Sequence, residues 1–224
     1  MFDAHAPQGL RVIVADIPFN FSTLCNRGAA AAKGDYLLFM NNDVTPVGRD
    51  WLARMMDLAV LADVGAVGAK LHYPDGHLQH GGIFVGLTEV CGHLWRGLPR
   101  EAQAQVDRLQ CNSLRAAVTA ALLCVARRKF DAVGGFDEAA FPVTLNDVDL
   151  CLRLQARGWF SAFAAGAEAF HAEGESRGDD ESPAKRSRRQ AELDQFVARW
   201  GAFIEADPWL PPAVMHSTEI FNLR

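Results

Sequence analysis

From Tyr36 to Met40 the chain is apolar without a break, and the run passes straight into Asn41-Asn42-Asp43. A short unbroken apolar run suits a strand buried on both faces of a sheet, although a buried helix shares that pattern. Gly34-Asp35 before the run and Pro46 and Gly48 after it limit its length and predict a strand over 36–40. Similar stretches predict strands at Leu10–Ala15, Val64–Leu71, Ile83–Val85, Ala117–Ala126 and Trp159–Ala164. Between them the apolar residues fall at helical spacing. Ser22 is the expected N-cap of a helix that Gly34 stops. Asp50 is the expected cap of a second helix, whose apolar positions are Leu52, Met55, Met56, Ala59 and Val60. Further helices are expected at 101–109, from Arg127 to Gly134, from Asp147 to Arg157 behind Thr144 or Asn146, and from Ala184 to Ile204. Strand, helix, strand, helix, strand up to Leu71 is the order of a parallel α/β layer. An Ala-rich turn is expected at 164–169, and a polar mobile loop at 172–183.

Polar residues at the carboxyl end of a buried strand change this picture from architecture to chemistry. In open α/β sheets, ligands bind in the crevice beyond the strand ends. Asn41, Asn42 and Asp43 project there, and a carboxylate with neighbouring amide oxygens suits Mg²⁺ or Mn²⁺; a polar turn ending the strand has the same composition. Asp147 and Asp149 open the helix expected after residue 146. Residues two apart point to different faces, so only one of them can aim at a given crevice. The helix N-terminus favours the ionised form of Asp147, which leaves it able to accept a hydroxyl proton. His171 offers an imidazole to a transition-type cation or to the core. His72, His77 and His80 lie close together but lack zinc-ligand spacing and cysteine partners. Lys185, Arg186, Arg188 and Arg189 read mostly as a solvated helix face, whereas Arg177 is the better placed for an anion contact.

Whole-chain properties narrow the class. The 224 residues are enough for a proper core, with half of them hydrophobic and 22% charged. A net charge of -5 argues against a nucleic-acid partner gripped by a broad basic face. Five cysteines without a C-x-x-C pair suggest reduced thiols and a cytoplasmic location. No run approaches the length of a membrane span, and the first residues lack a signal-peptide layout.

Four stretches taken in order resemble family-2 glycosyltransferases of the GT-A fold. They are Phe19-Asn20-Phe21-Ser22 through Asn26-Arg27-Gly28-Ala29 to Gly34-Asp35; Asn41-Asn42-Asp43; Val118–Ala121 with Gly134-Gly135-Phe136-Asp137-Glu138; and Asn146–Arg153 followed by 171–178. The resemblance, rhamnosyltransferase-like, spans roughly Pro18 to Pro212. It implies an α/β, GT-A-type, mostly parallel sheet flanked by helices, with a small antiparallel acceptor-side portion. Asp43 and His171 would then be the ligands of a Mn or Mg divalent cation. Asn41 and Asn42 would line its site, Arg177 would contact the diphosphate, and Asp147 would be the general base. The partners implied are a nucleoside-diphosphate sugar donor and a saccharide acceptor, and the reaction is inverting transfer serving polysaccharide biosynthesis. Family-2 enzymes often carry an acidic residue where Asn146 stands. Its absence removes a like charge beside Asp147.

One departure from the family carries further expectations. The first strands of the nucleotide-binding half have no counterpart before Leu10, so the resemblance implies an N-terminally truncated catalytic half. Its parts would be residues 1–71 (the remaining nucleotide and metal half), 72–178 (acceptor side) and 179–224 (helix and tail), within one compact domain. An exposed sheet edge would then call for a homodimer or another cover, and peripheral membrane association is also expected. A non-catalytic interaction or assembly module is the competing function.

Overall fold

In a computed structural model, residues 10–86, 90–172 and 182–209 are described here. The elements in chain order are α1 (Phe21–Ala31), β1 (Tyr36–Met40), β2 (Val44–Pro46), α2 (Trp51–Ala59), β3 (Val64–His72), β4 (Leu78–His80), β5 (Ile83–Val85), β6 (Cys91–His93), α3 (Arg100–Gln103), α4 (Asp107–Gln110), β7 (Ser113–Arg115), β8 (Leu122–Ala126), α5 (Arg127–Ala132), α6 (Asn146–Gln155), β9 (Phe160–His171) and α7 (Pro183–Glu205).

The main sheet runs β1-β8-β3-β9-β2, with β4 also paired to β3 and β7 to β9. It is mixed rather than mostly parallel. Among the described residues only β3–β9 is a parallel pair; β8 runs antiparallel to both β1 and β3 and lies between them. Thus β1, β3 and β9 share a direction, as α/β order requires, but a returning strand separates the first two. The expected small antiparallel portion is the separate pair β5–β6, bridged to the chain at Ala117.

Which strands are central follows from side-chain size and burial. Every residue of β8 is buried. Leu123 and Val125 join the layer under α1, α5 and α6, while Leu122 and Cys124 join the layer under α2. β3 is likewise buried throughout. Gly68 lets Val118 approach where a Cβ would come within 2.5 Å of it. β1, by contrast, is an edge strand with one buried face. Leu37 and Phe39 point inward and Leu38 and Met40 are exposed. The expectation of burial on both faces of β1 is therefore corrected: an apolar run does not say how many neighbours the strand has. Phe39 packs with Phe130 and Phe136 at centroid separations of 5.3 and 5.1 Å.

Four local expectations also change. Leu10–Ala15 is not a strand; its residues are largely exposed, and among the described residues no strand lies beside it. Asn20, not Ser22, caps α1, its side chain accepting from Thr23 N at 2.9 Å. Ser22 is buried and donates to Phe141 O. The helix expected at 101–109 is two short ones, α3 and α4. Finally, the expected Ala-rich turn at 164–169 is part of β9. Small residues there let Arg54 of α2 lie against Gly166, and a register shift between Ala69 and Lys70 absorbs the extra residues. That continuation carries β9 to His171, beside β2.

Candidate active site

Asp43 and His171 are brought together by backbone pairing. Asn41 N donates to Ala121 O at 2.9 Å, extending the ladder beyond β1, and Val44 N closes back on Asn41 O at 3.3 Å. β2 then pairs with the end of β9, Val44 opposite His171, and Ala172 N donates to Asp43 O at 3.1 Å. In this arrangement Asp43 Oδ1 lies 3.2 Å from His171 Nε2, and Asn41 Nδ2 lies 3.4 Å from the same nitrogen.

Gln79 of β4 decides which face of the imidazole is presented. Its amide nitrogen donates to His171 O at 3.3 Å, so its amide oxygen, 2.6 Å from His171 Nδ1, accepts the ring proton. In a neutral ring the lone pair on Nε2 then faces both the Asn41 amide (3.4 Å) and the Asp43 carboxylate (3.2 Å). Asp43 Oδ1 is buried and, among the described residues, has no hydrogen-bond donor. Two acceptors facing each other in a partly buried site are costly unless something positive lies between them. One carboxylate oxygen and one imidazole lone pair suit a divalent cation of the Mn²⁺ type. Among the described residues no group of three or more His, Cys, Asp or Glu side chains could hold a metal. Asp43 and His171 are two side chains that could hold such a cation, with other positions left for oxygen ligands. Because Gln79 orients the ring, Gln79→Ala is expected to weaken Mn²⁺ binding by about 10–100-fold. Calorimetric titration checks this, and an unchanged affinity counts against the assignment.

Asp147 faces the same cavity. Leu145 turns the chain into α6 through a left-handed conformation (φ 62°), which sets Asp147 in the first turn. Asp147 Oδ2 accepts from Ala120 N at 3.1 Å and Oδ1 from Val148 N at 2.9 Å. Asn41, Asp43, His93, Thr119, Asp147 and His171 all line one cavity of about 280 Å³. Asp149 points the other way and is fully buried, bonded to Arg153 (2.7 Å), Arg199 (2.8 Å) and Trp200 (3.1 Å). Helix spacing lets only one of the two aspartates face the cavity, and the packing of α6 against Ala120 on one side and α7 on the other makes it Asp147.

Not every expected residue joins this cavity. Asn42 is exposed and lines a neighbouring cavity of about 650 Å³ together with Phe19, Met40, Lys185 and Arg188. Lys185 and Arg188 are thus half-buried walls rather than parts of a solvated face. Arg177 lies outside the described residues. His72 faces Glu168, His77 faces Asp75 and His80 faces His93, so the three clustered histidines have separate partners. Burial, and after it the Asp147 carboxylate, pushes the Cys25 thiol up to about 12, which makes it a poor nucleophile. The contributions of Gln79, His93 and Glu192 have no sequence signal. Glu192, buried on α7, accepts from Val143 N (2.7 Å) and Thr144 N (3.1 Å) and so holds one wall of the cavity.

A family model described as "Glycosyltransferase like family 2" matches residues 2–194. The chain belongs to that family. Among its relatives, the O-antigen biosynthesis protein RfbC of Myxococcus xanthus is 36% identical over 198 residues, covering 88% of this chain and 14% of that protein. The N-acetylglucosaminyl-diphospho-decaprenol L-rhamnosyltransferase of Mycobacterium tuberculosis is 32% identical over 123 residues, covering 52% of this chain and 40% of that one. The family-2 chain therefore spans much less than the length of these relatives. Among solved structures, GalNAc-T7 with UDP, GalNAc and Mn²⁺ matches at a TM-score of 0.58 and 13% identity, over 91% of this chain and 42% of that one. This likeness bears out the α/β fold of GT-A type, as a mixed sheet flanked by helices. No helix among the described residues is long and apolar enough to cross a membrane.

Proposed function

We propose that this family-2 chain carries the catalytic part of a metal-dependent inverting glycosyltransferase, which moves a sugar from a nucleoside diphosphate to a saccharide hydroxyl. The observation that carries the reading is the meeting of Asp43, Asp147 and His171, from three distant parts of the chain, at one cavity. Asp43 and His171 would hold the cation, with Asn41 beside them. When bound, the cation supplies positive charge to the departing diphosphate. Asp147 accepts the proton of the acceptor hydroxyl, whose oxygen bonds to the anomeric carbon as the bond from that carbon to the diphosphate oxygen breaks. The Ala120 N–H holds the Asp147 carboxylate in place while this happens. The rhamnosyltransferase and O-antigen relatives support an activated-sugar donor and an acceptor of cell-surface polysaccharide type.

The test is thermal stabilisation by UDP or dTDP in the presence of Mn²⁺. With ligand at about 100 times its dissociation constant the native state gains about 2.7 kcal/mol. Asp43→Ala should abolish the Mn²⁺-dependent part. No shift with either nucleotide in the unmutated chain counts against the reading.

A second reading, a non-catalytic assembly module, is favoured by one feature. Among the described residues β1 stands at the sheet edge, with Leu38 and Met40 exposed. Sugar-nucleotide turnover that Asp147→Asn removes would dispose of it.

A further inference from the structure

A threonine or asparagine just before a helix ordinarily caps its first turn, and Thr144 and Asn146 are the residues of that kind at the start of α6. Neither takes the cap position. Leu145 does, without a side-chain capping bond and at φ 62°, a conformation that side chains other than glycine rarely adopt. Such an outlier persists only where its surroundings over-determine it, and outliers of this kind gather at ligand sites. Here the surroundings are set from α7. Buried Glu192 takes the N–H groups of both Val143 (2.7 Å) and Thr144 (3.1 Å) on one carboxylate oxygen. Asn146 Nδ2 donates back to Val143 O at 3.0 Å, so the second candidate cap is engaged within the same turn.

Held in this way, residues 143–148 form one wall of the cavity that Asp43 and His171 also line. Thr144 is half-buried in that wall, three residues before Asp147. Among the described residues its backbone N–H is bonded, to Glu192, but its hydroxyl has no hydrogen-bond partner. A hydroxyl offers one proton and two lone pairs without a charge. That chemistry matches the hydroxyl of a sugar better than a diphosphate, which binds more strongly to a cation.

We propose that Thr144 is a saccharide-binding residue whose hydroxyl hydrogen-bonds a non-reacting hydroxyl of the acceptor sugar, and that Glu192 is the positioning residue that holds it at the cavity wall. The inference rests on the proposed transfer reaction and adds a residue that selects the acceptor.

Threonine methyl spectra of the whole chain with Mn²⁺ and UDP or dTDP test it, with methyl glycosides of glucose, rhamnose and N-acetylglucosamine as probes. The Thr144 signal, assigned by its absence from Thr144→Ser, should move as at least one glycoside is added. Thr144→Ser keeps the hydroxyl and should hold that glycoside's affinity within about twofold. Thr144→Val keeps the shape without the hydroxyl and should weaken it roughly 3- to 10-fold, the loss of one neutral hydrogen bond. No response at Thr144 to any of the three glycosides, or equal binding by the Ser and Val variants, overturns the proposal. For the positioning role, Glu192→Gln retains an oxygen that can accept both N–H groups and should bind within about twofold of the unmutated chain. Glu192→Leu should lose about as much as Thr144→Val, and equal binding by the Gln and Leu variants overturns that role. If Glu192→Leu does not fold, the Val143 and Thr144 amide signals decide: they move together in Glu192→Gln, and unchanged signals overturn the role. Nucleotide stabilisation with Mn²⁺ is measured on the same samples. If it persists while Thr144 is silent, this inference alone fails; if it is absent while Thr144 responds, the transfer reading fails and the saccharide contact stands.

Discussion

Asp147→Asn is expected to slow sugar transfer by about 10²–10⁴-fold, the usual contribution of a positioned general base. The substitution keeps the size of the side chain and removes its capacity to take a proton. Asp147 reaches the cavity from the first turn of α6, and both of its oxygens are held by backbone N–H groups, from Ala120 and Val148. An amide can satisfy only one of these donors with its oxygen, so some loss of stability accompanies the loss of rate, about 1–3 kcal/mol for one unpaired buried group. The two effects separate by measurement. Stabilisation by Mn²⁺ and UDP or dTDP should survive in Asp147→Asn, because Asp43 and His171 are untouched. A variant that binds nucleotide normally and still transfers sugar within about tenfold of the unmutated rate would remove Asp147 from its proposed role.

Two residues further along the same helix, Asp149→Ala is expected to lower stability by about 3–5 kcal/mol, with little direct effect on chemistry. Asp149 is fully buried and holds Arg153 on its own helix and Arg199 and Trp200 on α7. Arg199 also bonds Asp137 at 2.9 Å, which ties α7 to the turn before α6. Removing the carboxylate leaves the two guanidinium groups and the indole N–H without their shared acceptor, and α7 loses one of its polar anchors. In a chain of this size that loss corresponds to a fall in melting temperature of roughly 6–20 °C. Urea unfolding measures it directly; a change below about 1 kcal/mol would mean that α7 is held by its other contacts, Phe196, Glu192 and the Arg199–Asp137 pair among them.

The contrast between these aspartates illustrates what could be read in advance. Their spacing of two on a helix already says that they face different ways. It does not say which one faces the cavity, because that depends on where α7 and the turn at Ala120 come to rest. Asn41-Asn42-Asp43 behaves similarly. Its place after an apolar strand pointed to a site, yet only Asn41 and Asp43 line the cavity with His171, while Asn42 turns into the next one. Gln79 and His93 were silent in the sequence because a glutamine or histidine on a short strand has no distinguishing pattern. The role of Gln79 comes from its hydrogen bonds to a residue as distant in the chain as His171.

What the amino-acid order determined by itself was local: the apolar runs that became β1, β3 and β8, most of the helices, and the family motifs at 41–43, 146–153 and 171. These follow from backbone sterics, side-chain periodicity and turn residues, all of which act over a few positions. The tertiary structure alone decided that β8 returns between β1 and β3, that β9 runs on through its alanines to His171, and that this strand end meets Asp43. Strand neighbours and long-range hydrogen bonds depend on which surfaces compete for burial across the whole chain, and no short window of sequence contains that competition.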